Sequence, residues 1–388
     1  MSHHAVVTPK GARRWAQGHP WIYRSDVARR PANSAGAVPV RDVRGQALGQ
    51  ALWSPMSEIS LRLLDRDADV AIDADWWRAA IERAIARRAP IAEQASAYRL
   101  VHGEADGCPS LICDRYDRWL VVQLLSAGLE HYRDVIVDAL CALAAPAGIL
   151  ARNDVPVRAK EGLPREVTLL FGDVPREIEV EEHGVRYLAA PWDGQKTGAF
   201  LDQRDNRALV ARISRGRALD CFSYHGSFAL HLARHAESVL AVDSSAAALE
   251  RVSENAALNK LANVQGLRAD AFDFLRAEEK AGARYDTIVL DPPAFAKNRA
   301  SVTGALRGYK DINLRAMRLL SPGGMLYTAS CSYHVPKSDF LAMLSEAAAD
   351  SGRRVILRAI TGQPSDHPEV MTIPETGYLK GALLEAGD

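Results

Sequence analysis

Asp220-Cys221-Phe222-Ser223-Tyr224-His225-Gly226-Ser227-Phe228 is the stretch that decides the fold. It reads as the end of a buried strand over 218–222, a short polar loop, and a helix over 227–234 that opens at Gly226. A glycine there lets the backbone approach a ligand at a helix N-terminus. The loop lacks the G-x-G-x-x-G spacing of a diphosphate-binding turn, which disfavours a nicotinamide cofactor.

Downstream of this stretch, short apolar runs alternate with helical patterns. Strands are predicted at 239–242, 264–268, 287–290, 324–330 and 355–359, and helices at 246–258, 271–281, 311–320 and 338–349. Such alternation predicts a doubly wound, mainly parallel α/β sheet of the Rossmann-like kind, with its ligand beyond the carboxyl ends of the strands.

Those ends carry acids. Asp243 closes the second strand, twenty-three residues after Asp220, where a carboxylate can accept hydrogen bonds from both ribose hydroxyls. Asp270 follows the third and can accept from an adenine amino group. Taken singly, either acid also suits a helix cap. The fourth strand runs into Asp291-Pro292-Pro293-Ala294-Phe295. Its prolines stiffen the loop and remove backbone donors, aiming Asp291 at whatever enters the cleft.

The next strand leads into Thr328-Ala329-Ser330-Cys331-Ser332-Tyr333. Cys331 therefore lies on the functional rim, among small residues, with His334 and Lys337 close enough in sequence to lower its pKa. A thiol there has a chemical use. Carbon 5 of a pyrimidine is a poor nucleophile until a thiolate adds at carbon 6. It can then take a methyl group, and loss of its proton expels the cysteine. Asp291 would hold the base edge and stabilise the developing charge. Cys113 lies on an apolar strand-like run, Cys141 in a helical one, and Cys221 should point to the face opposite Asp220; these and Cys108 read as packing residues. With no CxxC pair, neither a disulfide framework nor a structural zinc site is expected.

The 388 residues exceed one ordinary core. We expect a small β-rich module over 1–72, an α+β domain over 73–178 and the α/β domain over 179–388. No membrane span and no secretory signal are read in the sequence, so a cytoplasmic protein is expected. Lys plus Arg is 48 and Asp plus Glu is 48, a net charge of zero that counts against an indiscriminate nucleic-acid binder. The charge is nonetheless uneven: Lys10, Arg13, Arg14, Arg24, Arg29 and Arg30 face the single acid Asp26 between Pro9 and Pro31. Such a run is either a solvated face or a phosphate-contacting patch.

Together these motifs resemble the RlmI-like ribosomal RNA large-subunit methyltransferases. Lys10-Gly11-Ala12-Arg13-Arg14 and Gly18-His19-Pro20-Trp21-Ile22-Tyr23 resemble the entry to that family's PUA domain, an RNA-binding β-barrel. The segments 103–107, 111–116, 152–155 and 160–162 resemble its central domain, and 196–204 the approach to its catalytic domain. The resemblance implies S-adenosyl-L-methionine as cofactor, held by Gln203, Asp220, Phe222, Tyr224, Gly226, Asp243, Asp270 and Asp291. It implies Cys331 as nucleophile on a cytosine of 23S ribosomal RNA, naked or in an assembling subunit. It favours RNA contacts by Lys10, Arg13, Arg14 and Arg24. Lys297, Arg299, Arg307, Tyr309 and Lys310, after the Asp-Pro-Pro motif, are further candidates for substrate contact, against the plain alternative of a solvated loop. A homodimer is also open.

Two other functions fit parts of the pattern. Asp-Pro-Pro-x-Phe also resembles the motif of amino-group methyltransferases, which need no cysteine. A non-catalytic RNA-binding or ribosome-assembly protein could retain a vestigial cofactor site, although acids kept at successive strand ends argue against it.

Overall fold

The computed structural model describes residues 3–32, 34–296 and 298–387. The chain forms two compact units: Met1–Glu182 with Ala189–Leu201 and Ser365–Thr376, and His183–Leu188 with Asp202–Pro364 and Gly377–Asp388.

The first unit holds two sheets. One has six strands in the order Trp21–Tyr23, Ile59–Asp65, Ala47–Trp53, Gly36–Asp42, Ala5–Val7 and Val27–Arg29. Trp15, Ile22, Val38, Val40, Trp53 and Leu61 fill its core. The sequence reading expected a β-rich module here and overlooked the helix Pro9–Ala16. That helix begins with a proline and is capped by Thr8, whose hydroxyl accepts the Gly11 N–H at 3.2 Å. The other sheet runs Val167–Gly172, Gly148–Arg152, Trp119–Leu124, Leu111–Tyr116 and Ala97–His102. Side chains of the helices Ala74–Ala86 and Arg133–Ala144 share its apolar core. Cys108 and Cys113 are fully buried there, and burial pushes the Cys108 thiol up to about 12. Cys141 packs partly buried against the same core.

The second unit is built on one sheet. Its strands are β1 (Arg217–Cys221), β2 (Ser238–Asp243), β3 (Val264–Arg268), β4 (Tyr285–Leu290), β5 (Leu320–Ser330), β6 (Val355–Thr361) and β7 (Lys380–Ala386). The helices are α1 (Arg204–Ile213), α2 (Ser227–Ala233), α3 (Ala246–Leu258), α4 (Ala271–Ala281), α5 (Val302–Leu319) and α6 (Lys337–Ser351). The strand order is β3-β2-β1-β4-β5-β7-β6. Strands β1 to β5 pair parallel, and β7 runs antiparallel between β5 and β6. Alternate strand residues face opposite layers, as a pleated strand requires. Leu219, Cys221, Ile288, Leu290 and Leu326 pack under α4, α5 and α6. Ala218, Val289, Met325 and Tyr327 pack under α1, α2 and α3. Cys221 and Asp220 thus point to opposite faces, as expected.

The structure departs from the sequence reading here at helix α1, which that reading lacks, and at two further elements. Strand β7 is absent from that reading, because it follows the irregular segment 362–379 instead of a crossover helix. Helix α5 starts at Val302, nine residues before the predicted 311, because Gly304 and Gly308 weaken its pattern. The strand order reverses between β1 and β4, and a crevice at that switch point is where a doubly wound sheet binds its ligand.

Candidate active site

The loop after β1 is held in a demanding conformation. Phe222 has φ +64° and Tyr224 +51°, both in the left-handed region that costs most for residues with side chains. Gly226 follows at φ +87° as the N-cap of α2, and a Cβ there would meet Val252 Cγ2 at 3.0 Å. Asp243 fastens the loop: one carboxylate oxygen accepts the Tyr224 N–H at 2.9 Å and the other the Ser245 N–H at 2.9 Å. The cap of α3 is Ser245, so Asp243 is free of the capping role its sequence position allowed. Asp270 does cap α4, accepting the Phe272 and Asp273 N–H groups, and remains exposed at the end of β3.

Asp220 lies beneath the loop, 1% exposed. One of its oxygens accepts from Ser223 Oγ at 2.6 Å and from the Ala229 N–H at 3.0 Å. The other has no hydrogen-bond partner among the described residues. Burial, with Asp291 and Asp243 nearby, raises its pKa to about 7. A buried acid with a spare acceptor, a glycine-floored loop and two strand-end carboxylates suit a cationic, ribose-bearing ligand such as an adenosyl sulfonium.

Asp291 stands at the end of β4. Gln203 donates to it at 2.8 Å, while the Gln203 carbonyl oxygen accepts from Asn206 at 2.6 Å and from the Tyr327 hydroxyl at 3.2 Å. Gln203 is itself buried. Beside this acid, Phe222, Phe272, Phe295 and Tyr309 form a chain of rings whose centroids lie 4.5 to 6.5 Å apart. Phe295 of the Asp-Pro-Pro-x-Phe motif is therefore a member of an aromatic wall continuous with the β1 loop.

Cys331 follows β5, half-buried. Leu290 is paired with Thr328, so Asp291 and Cys331 emerge from adjacent strand ends. The fully buried Ser332 binds the two loops together. Its hydroxyl accepts the Ala296 N–H at 3.1 Å and shares a 2.9 Å hydrogen bond with the Tyr309 hydroxyl. Its carbonyl accepts from Lys380 Nζ at 2.7 Å. His334 rests edge-on against Tyr333, and Lys337 is exposed at the start of α6.

The basic candidates are dispersed. In the first unit, Lys10 and Arg13 are exposed on the helix Pro9–Ala16, Lys10 lying 3.5 Å from Asp26. Arg14 stacks over the Tyr23 ring at 4.5 Å, and Arg24 donates to the carbonyls of Met56 and Ser57. In the second unit, Arg307 is exposed on α5 and Lys310 pairs with Glu346 and Asp350 of α6. Arg299 is exposed on a short turn, and Lys297 lies outside the described residues. Tyr309 corrects the sequence reading: it is fully buried, because its ring packs on Phe295 and its hydroxyl on Ser332, and it offers no surface to a substrate.

A 3-2-1-4-5-7-6 sheet with a cofactor loop after β1 and an acid after β4 defines an S-adenosylmethionine-dependent methyltransferase. Comparison with known proteins agrees. Residues 130–383 match the S-adenosylmethionine-dependent methyltransferase family and residues 5–66 the PUA-like domain. Ribosomal RNA large subunit methyltransferase I of Shewanella denitrificans is 42% identical, over 97% of this chain and 98% of its own. Its namesake from Aeromonas salmonicida is 40% identical over 95% of each. The chain belongs to the family of these methyltransferases. The fold is shared with a protein from Streptococcus mutans described as a SAM-dependent methyltransferase, at a TM-score of 0.83 and 20% identity over 99% of this chain and 100% of that one. A similar solved structure, TM-score 0.84, 20% identical over the same shares, contains SAH.

Proposed function

We propose that this enzyme methylates carbon 5 of a cytosine in 23S ribosomal RNA, with Cys331 as the nucleophile and Asp291 holding the base. The observation that carries the proposal is the hydrogen bond from Ala296 to Ser332, which locks the Asp291 loop to the Cys331 loop. An amino-group methyltransferase has no use for a cysteine in the loop tied to its Asp-Pro-Pro segment. The relatives, named as large-subunit ribosomal RNA methyltransferases, supply the substrate class.

When bound, S-adenosyl-L-methionine supplies an electrophilic methyl group on a sulfonium. Phe222, Tyr224, Gly226 and Asp220 would line its amino-acid and sulfonium end, Asp243 its ribose, and Asp270 its adenine. The Cys331 thiolate adds to carbon 6 of the cytosine, and the displaced π electrons make carbon 5 nucleophilic. Asp291, oriented by Gln203, accepts from the exocyclic amino group and holds the ring plane. After carbon 5 is methylated, loss of its proton restores the 5,6 double bond and expels the thiolate. Residues 1–72 would take the RNA backbone through Lys10 and Arg13, since Arg14 is stacked on Tyr23 and Arg24 is tied to main-chain carbonyls, with 73–178 as the central domain and 179–388 as the catalytic one.

The test is to map 5-methylcytosine in 23S ribosomal RNA from a deletion strain, alone and complemented. One site should lose its methyl group, regain it with the wild-type gene and fail to regain it with Cys331→Ala. Unchanged methylation in the deletion strain, or full rescue by Cys331→Ala, would refute the assignment.

A further inference from the structure

Lys380 opens β7 directly opposite Ser330 in the antiparallel register with β5, and it is 5% exposed. Its ammonium donates to the Ser332 carbonyl at 2.7 Å and to the Tyr378 carbonyl at 2.9 Å. Two neutral carbonyls satisfy two of its three N–H groups and leave its charge uncompensated. Buried charges are normally paired, yet among the described residues no carboxylate pairs with Lys380. Cys331 lies between Ser330, the register partner of Lys380, and Ser332, whose carbonyl the ammonium holds.

We propose that Lys380 is a positioning residue of the methyl-transfer site, whose ammonium serves as counter-ion to the Cys331 thiolate and holds the cysteine loop through the Ser332 carbonyl. This rests on the reading of Cys331 as the nucleophile. On forming the pair the thiol gives its proton to solvent, and the lysine keeps its own. Burial lowers Lys380 to about 8, and the cysteine pulls it upward, so the lysine is mainly an ammonium at neutral pH. The other ionisable groups around the thiol do not supply this charge. Tyr309, from α5, is a phenol whose pKa burial raises. Asp291, at the end of β4, is acidic. His334 is half-exposed and Lys337 exposed, so water screens them more than it screens Lys380.

The experiment follows alkylation of the full-length protein by iodoacetamide across pH, scoring the Cys331 peptide by mass spectrometry. Wild-type Cys331 should react with an inflection below the ordinary thiol range. Lys380→Met should move the inflection up by about one pH unit or more and slow alkylation at neutral pH about tenfold. Lys380→Arg should keep much of the depression, with S-adenosylmethionine affinity by calorimetry reporting that each variant is folded. A wild-type inflection in the ordinary range, or identical profiles for wild type and Lys380→Met, would overturn the proposal. Should the methionine variant fail to fold, the wild-type profile decides by itself. Methyl transfer by Cys331→Ala is scored separately. Ordinary thiol reactivity with an inactive alanine variant rejects the role of Lys380 alone, whereas an active alanine variant rejects the nucleophile.

Discussion

Gln203 shows how a residue can act through the neighbour it orients. Its amide is held from one side by Asn206 and Tyr327 and gives its N–H to Asp291. A hydrogen bond to an ionised group contributes about 1.5–3 kcal/mol, and a buried network loses more than one bond when a member is removed. Gln203→Ala should therefore lower the single-turnover rate of methyl transfer roughly 10- to 100-fold. Gln203→Glu should be worse, since a second carboxylate would face Asp291. Binding of S-adenosylmethionine, followed by calorimetry, should fall much less than the rate. Equal losses in the two would assign Gln203 to cofactor binding instead.

This network also marks the limit of what the sequence discloses about residues. Asp220, Gly226, Asp243, Asp291 and Cys331 are legible because a charged, flexible or nucleophilic type at a strand end is unusual in itself. Ser332 and Lys380 are ordinary types whose meaning lies in their partners. Ser332 is joined to Ala296, 36 residues away, and Lys380 to Ser332, 48 residues away. Those pairings depend on the register of β5 with β4 and β7, which no local pattern encodes. The left-handed turns at Phe222 and Tyr224 are equally silent, for neither residue type favours positive φ.

At the scale of elements, the parallel strands and, α1 apart, the helices of the second unit were legible from apolar periodicity, with α3, α4 and β3 matching the sequence reading at both ends. Of the elements missed or misplaced, α5 and β7 both build the cysteine side of the site. Helix α5 escaped because its first turns carry Gly304 and Gly308. Gly308 has a packing reason: a Cβ there would sit 3.4 Å from Phe295 Cδ2 and 3.8 Å from Phe272 Cζ. Contact at those distances is ordinary, so Gly308→Ala should be tolerated and gain roughly 0.5–1 kcal/mol from helix propensity. Gly308→Leu has no such room and should displace Phe295, and with it the Asp-Pro-Pro loop. Thermal unfolding should show the alanine variant at or above the wild-type midpoint. The leucine variant should lie below it and lose methyl transfer. A leucine variant with normal activity would remove Phe295 from the structural account of the site.

For the whole molecule, zero net charge sits beside the polyanionic substrate proposed above. The structure narrows the basic residues of the first unit that can answer it. Arg14 is stacked on Tyr23 and Arg24 is tied to main-chain carbonyls, whereas Lys10 and Arg13 project from one helix into solvent. Lys10 is 71% exposed, so its pairing with Asp26 is weak enough for a phosphate to displace. Each phosphate contact on duplex-like RNA releases counterions and contributes a slope of about 0.9 in the logarithm of affinity against the logarithm of salt. Replacing Lys10 and Arg13 together by glutamine should therefore flatten that slope by about 2. The same double variant should raise KM for RNA at moderate salt, while S-adenosylmethionine affinity and the rate at saturating RNA stay near wild type. Filter binding over a salt series measures the slope. An unchanged slope would mean that this helix is a solvated face, and that the phosphate contacts of the enzyme come from other residues.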